Sequence, residues 1–149
     1  MAIRVDVQYM CESPSLPGKK QIKTWAEAAL KNLRENAEFT VRIVDRQEGT
    51  ELNERWRQAK GPTNVLSFPA EGLEEIAPEL LGDIVICAPV IEDEAKQQDK
   101  SPDAHWAHMI VHGILHLLSY DHIKQQDADI MEALEIKILE KIGYKNPYV

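Results

Sequence analysis

The sequence predicts an α+β fold: a single mixed β-sheet of about four strands packed with about five helices, one of them a central helix bearing histidines. Three observations carry that expectation. Apolar residues recur at two-residue intervals in some segments and at three-to-four-residue intervals in others, in the order β-α-β-α-β-β-α-α-α. The segment 101–119, "SPDAHWAHMIVHGILHLLS", is apolar almost all round, as a helix at the centre of a core must be. Hydrophobic residues make up 44% of 149 and charged ones 28%, an ordinary globular balance in a chain sized for one domain over 1–149.

Ile3, Val5, Val7 and Tyr9 alternate with polar residues and predict a half-buried first strand. After the loop "SPSLPG", Ile22, Trp25, Ala26, Ala29 and Leu33 follow helical spacing, which predicts an amphipathic helix over roughly 18–35. Phe39, Val41 and Ile43 alternate in a second strand. Thr50 is the expected N-cap of a short helix carrying Leu52 and Trp56, ended by Gly61-Pro62. "TNVLSF" and "LGDIVIC" read as two more strands, separated by a polar loop. Pro89 suits the first turn of a helix over 89–98, and 101–119 follows as the central helix. The last helix is expected from near Asp127 to Ile142, with Gly143 as its stop.

Several function classes are disfavoured. No apolar run approaches the ~20 residues of a membrane span, and the opening "MAIRVDVQYM" lacks signal-peptide anatomy. Cys11 and Cys87 are the two cysteines; Cys87 reads as a buried small hydrophobe, and a reduced, cytoplasmic protein is expected. A net charge of −8 argues against indiscriminate nucleic-acid binding, and no DNA partner is expected. The charge is uneven, however. Residues 1–60 hold 11 Lys/Arg against 9 Asp/Glu and all six arginines, whereas 61–149 hold 6 against 16. A polyanion could meet a local basic surface in the first half.

All five histidines fall between 105 and 122. His105, His108, His112 and His116 share one stripe of the central helix, and such a stripe on a buried helix calls for polar partners or a metal. At ~1.5 Å rise per residue, histidines one turn apart can share an ion, but His108 and His116, ~12 Å apart, cannot. The stripe therefore offers one adjacent pair, and a third ligand must come from elsewhere. His122 is the natural candidate if the chain turns sharply through "SYD". Three histidines with an open fourth position is a catalytic zinc arrangement, since a structural site would usually close with cysteines. His105 and His108 are expected to orient ligands or stabilise structure.

The spacing of His112, His116 and His122 matches that of familiar zinc proteases, but those carry glutamate where this chain has Gly113. Glycine cannot take a proton from water; it permits close approach of another backbone or a substrate. A metal here could still lower the pKa of water toward ~7 and polarise an acyl or phosphoryl oxygen. Asp121 could supply a general base, orient an imidazole, or be an ordinary turn residue.

Three blocks of the chain resemble the signatures of the YbeY family of bacterial metal-dependent endoribonucleases. "HGILHLLSYDH" (112–122) is similar to H-G-x-L-H-L-x-G-Y-D-H. "LNERWRQAKGPTNVLSFP" (52–69) is similar to a signature in which an arginine precedes P-T-[DN]-V-L-S-F-P, and "LLGDIVIC" (80–87) is similar to an L-G-D-I strand. Ser119 departs from the pattern, standing where glycine is usual at the helix exit.

The resemblance implies that His112, His116 and His122 bind one zinc ion per chain and that Arg57 is the functional arginine, suited to bidentate hydrogen bonds to a phosphate. Thr63, Asn64 and Ser67 would lie nearby, lining the cleft or satisfying turn and strand-end hydrogen bonds. The implied activity is a zinc-dependent, single-strand-preferring endoribonuclease acting in ribosomal RNA maturation, at the small-subunit 3′ end, and in ribosome quality control. Ribosomal RNA and the ribosome or its associated proteins are the implied partners. The general base stays open among metal-bound hydroxide, Asp121 and a substrate group. Two alternatives remain at this level: a zinc hydrolase of a non-nucleic-acid substrate, which the acidic charge favours, and a non-catalytic ribosome-assembly factor with structural zinc.

Overall fold

The computed structural model describes residues 2–72, 75–120 and 124–148. Along the chain these form β1 (Ala2–Tyr9), α1 (Lys19–Leu30), β2 (Asn36–Val44), α2 (Arg46–Arg57), β3 (Val65–Pro69), β4 (Leu80–Cys87), α3 (Ala88–Gln97), α4 (Pro102–Leu117) and α5 (Gln125–Lys141). The strands make a four-stranded sheet in the order β1-β2-β4-β3, so the architecture is α+β with a mixed sheet, as expected. β1, β2 and β4 run parallel; β3 pairs antiparallel with β4 and forms one edge. Among the described residues no helix is long and apolar enough to cross a membrane.

The two-residue period of the strands sorts their side chains into two cores. Val41, Ile43, Ile84 and Ile86 point into the larger one, where they meet Ile110 and Ile114 of α4 and Ala26 and Leu30 of α1. Val44, Val85, Cys87 and Leu66 point the other way, into a smaller cluster that Leu52 of α2 helps to cover. Ile110 and Ile114 are fully buried, each stabilising the fold by roughly 1.5–3 kcal/mol. Their burial fixes the rotation of α4 and thereby where its histidines point.

Both ends of α4 are set locally. Ser101 Oγ accepts the N–H of Ala104, and Pro102 occupies the first turn. At the other end Tyr120 N–H bonds the carbonyl of Leu115 and Ser119 N–H that of His116, each at 3.0 Å. This is the glycine-type helix stop, made here by Ser119 at φ 76°. Serine thus adopts the left-handed conformation for which glycine is better suited, at a cost of about 1 kcal/mol.

Two boundaries differ from expectation. α1 stops at Leu30 rather than near 35, because Asn32 turns left-handed (φ 67°) and Leu33 and Arg34 bond back to the Leu30 carbonyl. α2 starts at Arg46, capped by Asp45, whose carboxylate accepts Glu48 N–H at 2.9 Å; Thr50 is inside the helix. Gly49 lies within the helix, where a Cβ would sit 3.1 Å from Cys87 Sγ. The close approach of α2 to the end of β4 offsets the ~1 kcal/mol that a helical glycine costs.

Candidate metal centre and its cleft

α4 carries four histidines in two environments. His105 and His108 are buried at 2% and 7% exposure, while His112 and His116, toward the C-terminal end, are half-buried. The His112 and His116 rings lie 4.6 Å apart between centroids at an interplanar angle of 74°. Both line a cleft of about 870 Å³ that also takes in Arg57. The pair expected from one-turn spacing is therefore brought together at a surface opening.

Glu135 of α5 lies behind them, with no exposed surface. His108 Nε2 is 2.6 Å from Glu135 Oε2, His112 Nδ1 is 3.3 Å from Oε1, and the Tyr148 hydroxyl donates to Oε2 at 3.0 Å. Burial by itself would raise the carboxyl's pKa, but the hydrogen bonds from His108 and His112 outweigh it and hold the group at about 2. Burial pushes His108 the other way, below its ordinary value, against the pull of Glu135. Near neutral pH the arrangement is thus an ionised carboxylate receiving N–H bonds, with His108 uncharged. Burial and the neighbouring carboxylates raise the Tyr148 hydroxyl, so it stays a donor.

The donor set suits a metal. An N–H of His112 directed at Glu135 through Nδ1 leaves Nε2 as the lone-pair nitrogen, the arrangement found behind metal-binding imidazoles. Ligand atoms of His108, His112 and Glu135 also lie within 4.8 Å of one another, so this group could itself hold a metal ion. The distances bear on how. Two ligands on a tetrahedral zinc stand about 3.3 Å apart, given bonds of ~2.0–2.1 Å; the 2.6 Å between His108 and Glu135 is a hydrogen bond. In this arrangement Glu135 is bonded to both His108 and His112.

His105 is engaged elsewhere: its Nε2 is 2.8 Å from Glu94 Oε1 of α3, and Glu94 also accepts from Asn64 Nδ2 at 3.2 Å. The hydrogen bond from His105 lowers the Glu94 carboxyl pKa against the effect of burial. This bridge secures Asn64 at the start of β3, where its backbone carbonyl also accepts Cys87 N–H.

Arg57 ends α2, on the opposite rim of the cleft. Its Nη2 donates to the Ser67 carbonyl at 2.8 Å, and the Ser67 hydroxyl donates to the Gly113 carbonyl at 3.0 Å. Ser67 thus links the arginine to the histidine helix across β3. Asn53, one turn before Arg57, is buried and donates to the Gly61 carbonyl at 2.8 Å, which fixes the loop leaving α2. Thr63, Asn64 and Ser67 all line the cleft.

Gly113 is explained by packing. A Cβ there would stand 3.0 Å from Ile84 Cγ2 and 3.3 Å from Val65 Cγ2. The close approach that glycine permits is that of the sheet. A glutamate at this position would be driven into β3 and β4, so the proton-accepting role it has in zinc proteases has no room here.

His122 and Asp121 lie outside the described residues. Glu135 and Tyr148 escaped the sequence reading. Glu135 had a signal, a carboxylate on the apolar stripe Ala128, Met131, Ile138 and Leu139 of the last helix. Tyr148, beyond Gly143 and Pro147, had none.

Comparison with known proteins agrees with this architecture. The family model described as Endoribonuclease YbeY matches residues 9–143. Proteins named Endoribonuclease YbeY from the Dugway 5J108-111 and RSA 493 strains of Coxiella burnetii are each 48% identical over 149 residues, covering 98% of this chain and 98% of their own. The solution structure of TM1509 from Thermotoga maritima superposes with a TM-score of 0.63 at 26% identity, covering 91% of this chain and 88% of that one.

Proposed function

The chain belongs to the endoribonuclease YbeY family, and from that membership we propose that it is a zinc-dependent, single-strand-preferring endoribonuclease of ribosomal RNA maturation. Its setting is the small-subunit 3′ end and ribosome quality control in the cytoplasm. The observation that carries the reading is the shared cleft, with Arg57 on one wall and the His112/His116 pair on the other.

His112, His116 and His122 would hold the ion. Zinc, when bound, supplies a Lewis acid for a phosphoryl oxygen and lowers the pKa of water. The rest falls to the chain's own groups. Glu135, held ionised by its three donors, fixes the His112 ring and its tautomer. Arg57 spends one of its donors on Ser67 and keeps the others for the non-bridging oxygens, where charge grows as a phosphodiester is cleaved. Asp121 remains a candidate base.

The acidic C-terminal half keeps affinity for naked RNA low, which favours presentation of the substrate by the ribosome or its associated proteins. A substrate panel tests the reading. Hydrolysis of an unpaired ribosomal RNA fragment, with a steep salt dependence of binding and no cleavage of DNA, is expected. Turnover of acyl esters with no effect on RNA would replace it with a hydrolase of small substrates.

A further inference from the structure

Of the three tryptophans, Trp25 and Trp106 are buried, while Trp56 in the last turn of α2 is 58% exposed. Its surroundings are specific. Its ring meets that of Phe68 in a T-shaped contact, with centroids 6.3 Å apart at 76°. The Arg55 guanidinium carbon lies 5.4 Å from the Trp56 centroid, and that of Arg57 lies 6.0 Å from the Phe68 centroid. Phe68 packs on the smaller core and anchors the indole from below. Two aromatic rings and two guanidinium groups thus form one surface at the rim of the cleft, with Arg57 common to both.

The charge around this surface runs against that of the chain. From Arg55 to Ala70 the sequence contains Arg55, Arg57 and Lys60 and no Asp or Glu, in a protein with 25 acidic and 17 basic residues. Glu54, just before it, has its carboxylate turned to the Gly61 N–H at 3.3 Å. An exposed indole with arginines on either side offers an unpaired nucleotide what it binds: a π-face for the base and cations for its phosphates.

We propose that Trp56, backed by Phe68 and flanked by Arg55 and Arg57, is a stacking platform for an unpaired base of the RNA next to the phosphate that Arg57 holds. The inference rests on the endoribonuclease reading and adds a physical origin for single-strand preference. In a duplex the base faces are occupied by neighbouring pairs, whereas an unpaired base can leave its stack for the indole. Because Arg57 belongs to both cleft and platform, the stacked base sets the distance along the strand to the bound phosphate.

Trp56 is its own reporter, since the other two indoles are buried. The zinc-loaded protein is mixed in stopped flow with a short unstructured oligoribonucleotide, or with the same strand in a duplex, and fluorescence is read before cleavage. Quenching by the single strand and not by the duplex is expected. Trp56→Ala should bind the single strand on the order of tenfold more weakly, with Trp56→Phe recovering most of the loss and circular dichroism unchanged. Absence of quenching in the wild type, or equal affinity of Trp56→Ala, overturns the platform. If Trp56→Ala binds and cleaves like wild type, the platform alone falls; if the wild type neither binds nor cleaves RNA, the endoribonuclease reading falls with it.

Discussion

Glu135 Oε1 lies 3.3 Å from Nδ1 of His112, so a fully buried carboxylate on α5 is bonded to an α4 histidine that lines the cleft. Replacing it with glutamine keeps the shape and removes the charge. Glu135→Gln should weaken zinc binding about 10- to 100-fold, measured by competition with a chromophoric chelator, while the fold is retained. Unchanged zinc affinity would mean that His112 is not a ligand held by this carboxylate.

Arg57 is anchored to Ser67 through Nη2, its one hydrogen bond among the described residues; in the proposed function the rest of its fork serves the substrate. Arg57→Ala should lower RNA cleavage on the order of 10²–10³-fold with only a small change in melting temperature. Arg57→Lys should recover little, because a point charge cannot reproduce two parallel hydrogen bonds. Full activity in the lysine variant would reduce the arginine's role to charge alone.

Gly113 carries a prediction about stability. A Cβ 3.0 Å from the Ile84 methyl and 3.3 Å from that of Val65 would force the packed sheet side chains to shift. Gly113→Ala should cost about 1–3 kcal/mol in denaturant unfolding. Gly113→Glu, which would restore the zinc-protease motif, should unfold the protein and confer no peptidase activity.

The His105–Glu94 bridge predicts an acid response. The folded state holds the Glu94 carboxyl below its ordinary 4.5, so its contribution is fully present above that value and is lost as pH falls through the lower folded value. As pH falls below 4.5, wild type should lose more unfolding free energy than Glu94→Gln. Identical slopes would mean that the bridge does not stabilise the fold.

Sequence periodicity was enough for the strands and for α4, since burial imposes period two on the sheet and all-round apolarity on the central helix. The His112/His116 pair was legible because one helical turn suffices to bring them together. What escaped depends on contacts between distant segments. Glu135 reaches α4 from the last helix, and Tyr148 reaches Glu135 from beyond it. Gly113 left open whether another backbone or a substrate approached until the position of Ile84 was known, and Thr50 was expected as the N-cap that Asp45 supplies. At Ser119 the missing glycine left open a strained serine or a different turn; the chain keeps the left-handed exit, where Ser119 and Tyr120 N–H bond the carbonyls of His116 and Leu115.

The central claim is that the His112/His116 cleft is a metal-dependent RNA-cleaving site. Its most direct test is cleavage of a ribosomal RNA fragment spanning the small-subunit 3′ end by wild type and His116→Ala, purified identically, after chelation and after return of zinc. Cleavage by wild type alone, abolished by the chelator and restored by zinc, is the predicted result. Equal cleavage by both proteins, or cleavage indifferent to the chelator, would contradict it.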